Sequence, residues 1–398
     1  MIRSAPIEGS SLVVAASSSC RDFAAMWPTM TDRGSARAFV FQTADFLNVW
    51  CDTIGQARGT QPLFVAVMDE HGVPHALFPL GIEKRKSGLK VLSFLDGGVS
   101  DYNAPVLFPQ VKAWSPSFVG KLWDAIARIA PPFDIAVVEK MPDRVLDIDN
   151  PLVPLITARY PHSGYVMRLP GSVEEFVSKR LPRAQDTRRK LRKLAERGTV
   201  AFRIASTSAE LDDMLEAMMR QKSRRYIETT GVDGMERPGY RAFFRKAALE
   251  LAPQGLVHLS ALSLGETFLA VHWGYKDDGR FYYMMPSFEE GEWVRFSPGR
   301  HLLNHLIEWA IDAGMTEFDQ GLGDEDYKKE YCDAATALHQ IEIPRTVRGQ
   351  ADLLARRLKM SLRDTLVWNS LKSLRTAWRK RKFREGKGRA ARPGAVTT

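Results

Sequence analysis

What the sequence has little of narrows it first. Its three cysteines, Cys20, Cys51 and Cys332, lie far apart and are odd in number, with no CxxC pair and no Cys/His ligand spacing. Neither a disulfide framework nor a zinc site is supported, and no metal is expected. No run approaches the roughly 18 apolar residues that a membrane span needs. The N-terminal LVVAA follows Glu8 and is too short for a signal-peptide core, so the chain reads as cytoplasmic. An excess of positive charge is also missing from most of the chain. The whole carries +9, but the residues from Arg345 onward hold 16 Lys and Arg against 3 Asp and Glu, a net of +13 that leaves −4 for all that precedes. Basicity belongs to the tail, and the body gives no reason to bind nucleic acid.

At 398 residues the chain suits two cores of ordinary size. Three strand-like runs, His258–Leu264, Thr267–Lys276 and Arg280–Ser287, follow one another with turns at Gly265-Glu266 and Asp277–Gly279. A helix Arg300–Ala313 comes next, with Leu302, Leu303, Leu306, Ile307, Ala310 and Ile311 at helical spacing and Gly314 past its end. The strand TEFDQGLG and the helical turn DEDYKKEY complete the unit. The first half repeats the order with Pro62–Met68, Pro74–Ile82 and Leu89–Leu95, the polar loop GGVSDYNAPVL, a helix Ser117–Ile129 and the strand FDIAVVEKM. Helical layers are predicted ahead of each set, over Asp22–Met30 and Thr43–Gln56, then over Val173–Arg197, Ala209–Tyr226 and Tyr240–Ala252 with the strand VAFRIAS among them. Pro151, Pro154 and Pro161 mark Asp147–Pro161 as the crossover. The expected architecture is mixed α/β (α+β): two copies of one plan, over 1–150 and 151–345, each a mostly antiparallel sheet flanked by helices, and a basic helical tail over 346–398.

Candidate chemistry concentrates between Arg295 and Cys332. Ser297 suits an N-cap, Pro298 the first helical position, and Gly299 permits close backbone approach, so the first-turn amides of the helix can face an anion. Arg295, Arg300 and His301 add positive charge beside that turn. Asp319 lies near the end of its strand, and Tyr327 and Lys328 on the turn after it, where a Lys can neutralise a phosphate or an oxyanion. His272, with Trp273 beside it, is a candidate general base near neutral pH; its alternative is a satisfied core histidine. Tyr282 and Tyr283 point to opposite faces, so one of them reaches the cleft, and Tyr283 is the candidate, as a general acid or as the cleft's wall. Asp101 and Tyr102, in the loop after a double glycine, are candidates for choosing the acceptor, against a plain Asx turn with a buried aromatic.

SPGRHLLNHLIEWAIDAGMTEFDQGLGDEDYKKEY, together with FLDGGVSDYNAPVL, resembles the GNAT-superfamily acyltransferases of the CelD-like and BioF2-like type, which are related in fold to the FemABX peptidyltransferases. The resemblance runs from Ser18 to Pro344. It implies two tandem GNAT-like folds and transfer of an acyl group from acetyl-CoA or another acyl-CoA to an amine or hydroxyl of a sugar, polysaccharide precursor or amino compound, as in envelope or exopolysaccharide synthesis. The FemABX branch implies instead an aminoacyl group carried by tRNA. The chain departs from the family's Q/R-x-x-G-x-G/A loop, since Arg295 to His301 supplies an Arg but only one displaced glycine. A non-catalytic scaffold is therefore the third reading.

Two basic stretches remain. Ser178 to Arg197 holds nine Lys and Arg, with Arg189, Lys193 and Arg197 at i, i+4 spacing, and is either a solvated face or a platform for a polyanion. In the tail, Leu353, Leu354, Leu358, Leu362, Leu366, Val367, Leu371, Leu374 and Trp378 form an apolar stripe amid Lys and Arg. That stripe either packs on the body or meets the inner face of an anionic membrane as a peripheral contact.

Overall fold

The computed structural model describes residues 2–277 and 279–363, without the side chains of 112, 113 and 360–363. Two large sheets, mostly antiparallel and flanked by helices, hold nine and seven strands. Across the first sheet the order is Arg3–Pro6, Val13–Ser17, Gln61–Met68, Pro74–Lys84, Lys90–Phe94, Ile135–Pro142, Leu338–Pro344 and Ala158–Arg159, with Val106–Leu107 also pairing with Pro74–Lys84. Across the second it is Val200–Ile204, Val257–Leu264, Thr267–Asp277, Arg280–Phe288, Glu317–Leu322, Gly164–Arg168 and Ala334–Thr336. The central strands are near-continuous apolar runs, such as the buried Leu63 to Val67 and Ala76 to Leu80, because helices cover both faces.

Both sheets carry the same device. A meander of antiparallel strands ends in one strand, a helix crosses over, and the next strand returns parallel to it. In the first sheet the helix Pro116–Ile129 joins Lys90–Phe94 to Ile135–Pro142; in the second, Pro298–Asp312 joins Arg280–Phe288 to Glu317–Leu322. The parallel pairing is brief in each. It covers Val91↔Ile135 and Leu92↔Ala136 in the first sheet, and Arg280↔Glu317 to Tyr282↔Asp319 in the second. Beyond those positions the strands part, and an open gap beside the ends of parallel strands is where α/β sheets hold ligands.

Three expectations change. The helix predicted over Val173–Arg197 is broken into Val173–Glu175, a π turn Phe176–Arg180 and the helix Ala184–Ala195. Pro182 explains the break: it has no amide hydrogen to donate and turns Leu181 to ψ 111, and Arg183 follows at φ 52. Of Asp22–Met30, only a 3-10 turn Cys20–Phe23 is helical. The boundaries at 150 and 345 do not separate the sheets, since Leu338–Pro344 lies inside the first sheet, antiparallel to Ile135–Pro142.

One apolar core runs through both halves. Phe46 of the helix Ala44–Trp50 meets Phe243 of the helix Tyr240–Leu251 with ring centroids 5.4 Å apart, and Phe41 packs on Tyr275 and Tyr282. Gly239, at φ +76, lies so close to Ile54 that a Cβ would meet its backbone nitrogen at 2.8 Å. A second core, with Leu302, Leu306, Ile307 and Phe318, sits under Pro298–Asp312. The helix Val347–Arg363 sets Leu353 against Leu89, Val91, Ile135 and Val137. Leu354 and Leu358 of the expected stripe are exposed rather than packed on the body, and the rest of it, from Leu362 onward, lies with the basic end of the tail outside the described side chains. No helix among the described residues is long and apolar enough to cross a membrane.

Candidate active site

The gap in the second sheet opens on two cavities. One, of about 310 Å³, is mainly apolar and lies at the start of the helix Pro298–Asp312; Phe288, Val294, Pro298, Gly299, Arg300 and Leu303 contribute to its wall. The other, of about 300 Å³, is polar and lies toward the first half, where Asp101, Lys222, Gln320, Glu325 and Lys328 line it. Tyr283, Pro286 and Tyr327 belong to both linings, so the cavities meet at these side chains.

The loop that brings Asp101 there is held from within. Asp96 accepts from the amides of Gly98 at 3.0 Å and Ser100 at 3.3 Å, and Lys140 bridges Asp96 at 2.9 Å and the Ser100 carbonyl at 2.8 Å. Gly97 and Gly98, at φ 61 and 89, allow the turn. Burial pushes the Asp101 carboxyl up to about 6, against the pull of Lys140 and Lys328 and with Asp319 adding to the rise. A side chain at Gly321, where φ is +67, would collide with the Asp101 carboxylate.

Asp319 takes a different part. It is fully buried; its Oδ1 accepts from the Tyr102 hydroxyl at 2.9 Å and from the Gly321 amide at 2.8 Å, and Oδ2 faces the Arg280 guanidinium at 3.2 Å. Arg280 is also bound to Glu317 and lies over the rings of Phe39 and Tyr282. Asp319 and Tyr102, from the two halves of the chain, therefore form a lock between them behind the cavities. Burial raises the Asp319 carboxyl above its ordinary value, with Arg280 opposing. Lys328 does line the polar cavity, but its ammonium is engaged with the carbonyls of Gly321 at 3.3 Å and Leu322 at 2.7 Å and with Glu325 at 3.1 Å. It fixes the strand end and lends positive charge to the chamber.

At the helix start, Ser297 occupies the N-cap position at φ 57, and its side chain makes no cap hydrogen bond; its carbonyl accepts from Arg300 and His301, and its hydroxyl meets Lys190 at 3.2 Å. Lys190 belongs to the basic helix Ala184–Ala195, so that helix lies beside the apolar cavity rather than elsewhere on the surface. Arg300 lines the cavity while bound to Glu330 at 2.7 Å. Among the described residues no cluster of His, Cys, Asp and Glu could hold a metal ion.

Residues 182–329 match the family model described as an acetyltransferase (GNAT) domain. Among solved structures, FemX aligns with TM-score 0.51 and 12% identity over 78% of this chain and 93% of its own. The fold is GNAT-like and related to that of FemX. The C-terminal domain of a putative lysylphosphatidylglycerol synthetase from Agrobacterium fabrum aligns at TM-score 0.46 and 10% identity over 77% and 94% of the two chains. A tandem GNAT protein from the clavulanic acid biosynthesis pathway aligns at 0.44 and 8% over 72% and 84%. No curated protein matches the sequence.

In this GNAT-like frame the predicted residues fall into three groups. Tyr283, Tyr327, Lys328, Asp101, Ser297, Gly299 and Arg300 meet at the two cavities. Asp319 and Tyr102 form the lock. His272, Trp273, His301 and Arg295 line neither cavity. His272 is fully buried, stacked on Tyr283 at 4.5 Å, and burial holds its imidazole well below the ordinary range, so it stays neutral and out of reach of a substrate. Trp273 packs edge-on against Phe244 in the core. His301 is buried with its imidazole pushed down to about 4, and Arg295 is exposed over Phe296. Sequence reasoning missed Lys222, which looks like a solvated helix-face cation until the fold partly covers it, and Glu325, an exposed residue at a polar helix start whose place on the chamber's rim only the fold sets.

Proposed function

We propose that the protein moves an acyl group from a thioester such as acetyl-CoA to an amine or hydroxyl of an acceptor that enters the polar chamber. The observation that carries this is the meeting of an apolar and a polar cavity in the gap between parting parallel strands. The acyl arm fits the apolar side and the nucleophile the polar side, so the reacting atoms come together at Tyr283 and Tyr327. The donor's phosphates are served by the start of the helix Pro298–Asp312 and by Lys190. Asp101, titrating near 6, takes the proton of the nucleophile as its lone pair attacks the carbonyl. The C–S bond then breaks, and the departing thiolate takes a proton from the Tyr283 hydroxyl, which is regenerated from Asp101 through the released product or water. The acceptor becomes an amide or ester, and the free thiol leaves.

Isothermal titration with acetyl-CoA and longer acyl-CoAs tests the reading, repeated on Gly299→Glu. The atoms nearest a Cβ at Gly299 belong to the Phe288 side chain, at 3.3 Å, so the change places negative charge at the helix start at the cost of a small shift of that ring rather than of the backbone. Saturable binding lost in the variant supports the acyl-CoA site. Folded protein that binds no acyl-CoA overturns it in favour of an aminoacyl-tRNA donor, whose binding would fall steeply with salt, or of a scaffold.

A further inference from the structure

Lys222 has no part in the steps above, yet its position is tightly specified. It comes from the helix Ser208–Thr230, whose Met214, Leu215, Met218 and Met219 are buried against the second sheet. On one side of it Gln221 bonds the Phe268 carbonyl at 3.0 Å and the Ser287 hydroxyl at 2.8 Å. On the other, Arg224 bonds Glu289 at 2.7 Å and the Phe288 carbonyl at 2.8 Å. With the helix register pinned at both neighbours, the Lys222 side chain enters the polar chamber.

There it makes no hydrogen bond or ion pair among the described residues. The charged groups that act on it are Glu325, Lys328, Arg225 and Asp101. Glu325 is taken by Lys328 at 3.1 Å and Arg225 by Glu228 at 3.8 Å, while Asp101 lines the same chamber as the base for the acceptor's nucleophile and makes no ion pair with Lys222. A partly buried ammonium without its own counter-ion is costly, and a bound anion would remove the cost. Burial lowers its proton affinity to about 8, so it is still largely charged at neutral pH. The donor's phosphates do not supply that anion, because Lys222 lines only the polar cavity and the helix start borders only the apolar one.

We propose that Lys222 recognises a carboxylate or phosphate on the acceptor, placed close enough to the nucleophile that both lie in one chamber with Asp101. The proposal rests on the transfer reading above and narrows the acceptor to an anionic molecule of the amino-acid or sugar-phosphate kind. A neutral sugar would leave the ammonium unpaired and would be a poor acceptor.

Trace acetylation of the full chain with acetic anhydride at pH 8, read by mass spectrometry, reports Lys222 against the exposed Lys193. The probes are inorganic phosphate, N-acetylglycine as a carboxylate without a nucleophilic amine, and chloride at matched ionic strength. Protection of Lys222 but not Lys193 by phosphate points to a phosphorylated acceptor, and by N-acetylglycine to a carboxylated one. Equal protection by chloride, or protection by neither probe, overturns the proposal. Calorimetric binding of the protecting anion should weaken by about tenfold or more in Lys222→Met and be largely kept in Lys222→Arg, the size of one charge-assisted hydrogen bond; equal binding by Lys222→Met overturns it too. Acetyl-CoA titrated into the same preparations separates the failures: acetyl-CoA bound without anion protection sinks the anion site alone, and no acetyl-CoA binding sinks the transfer reading.

Discussion

The two sheets share a parallel pair that parts after a few residues, but they fill the gap differently. In the second sheet it opens on an apolar and a polar cavity that meet at Tyr283 and Tyr327. In the first, a polar cavity of about 420 Å³ lies beside the gap, and the buried Lys140, at φ 59, crosses to Asp96 and the Ser100 carbonyl. Asp96, although buried, is held below the usual carboxylate range by that lysine. One framework thus serves two ends. In the second half the gap joins an apolar to a polar cavity, and in the first a lysine crosses it to brace the loop that presents Asp101.

The comparison breaks most sharply at the two gaps' carboxylates. Asp101→Asn should lower kcat/KM by roughly 10²–10⁴, the usual worth of a positioned base, whereas Glu139→Gln in the first gap should leave the rate within about threefold. Activity of the parent should rise as pH passes upward through about 6, where the Asp101 carboxyl loses its proton, and that limb should vanish from the Asn variant's profile. Next in size is the lock. Asp319→Ala leaves the buried Tyr102 hydroxyl and the Gly321 amide without their acceptor and takes one of two carboxylates from Arg280, which keeps Glu317, so urea unfolding should show a loss of about 3–5 kcal/mol. An unfolding midpoint equal to the parent's would return Asp319 to the cleft. Lys140→Met should cost less, about 2–3 kcal/mol, because Asp96 keeps its backbone donors, and activity should fall with it as the Asp101 loop loosens.

Acid gives the smallest effect. His258 and His301 have imidazoles pushed by burial to about 3 and about 4, below the ordinary 6.5, so the unfolded chain binds protons that the folded one refuses. Their contribution is complete above pH 6.5 and is lost as pH falls toward 4, by about 1–2 kcal/mol each at pH 5. Both lie in the second sheet or the helix over it, so hydrogen exchange at pH 5 should rise there before it rises in the first sheet. His258→Phe should flatten the dependence.

Much of this frame was legible in the residues. Runs such as PLFVAVM and TFLAVHWGYK lie within observed strands because apolar, β-branched stretches bounded by Gly and Asp have few other places to go. The Pro182 break was also there to be read, but charge and helix propensity on both sides outweighed a single proline. The lock was not legible, since Tyr102 and Asp319 are far apart in sequence and only the packed halves bring them together. The same holds for Lys222, whose neighbours Arg220, Arg224 and Arg225 make it look like one more solvated cation. His272 carried the opposite error: an imidazole in a strand suggests chemistry, and only the packed structure shows its ring fully buried between Tyr283 and Phe281.

The strand Leu338–Pro344 sits between Ile135–Pro142 and Ala158–Arg159. On the ribosome, nearly two hundred residues must emerge after Pro142 before that strand is available to cover it. Until then the nascent first half carries an open edge, a template for pairing with other chains. A gene cut after residue 150 would make that condition permanent, so the halves can be exchanged between relatives only if the closing strand travels with the first.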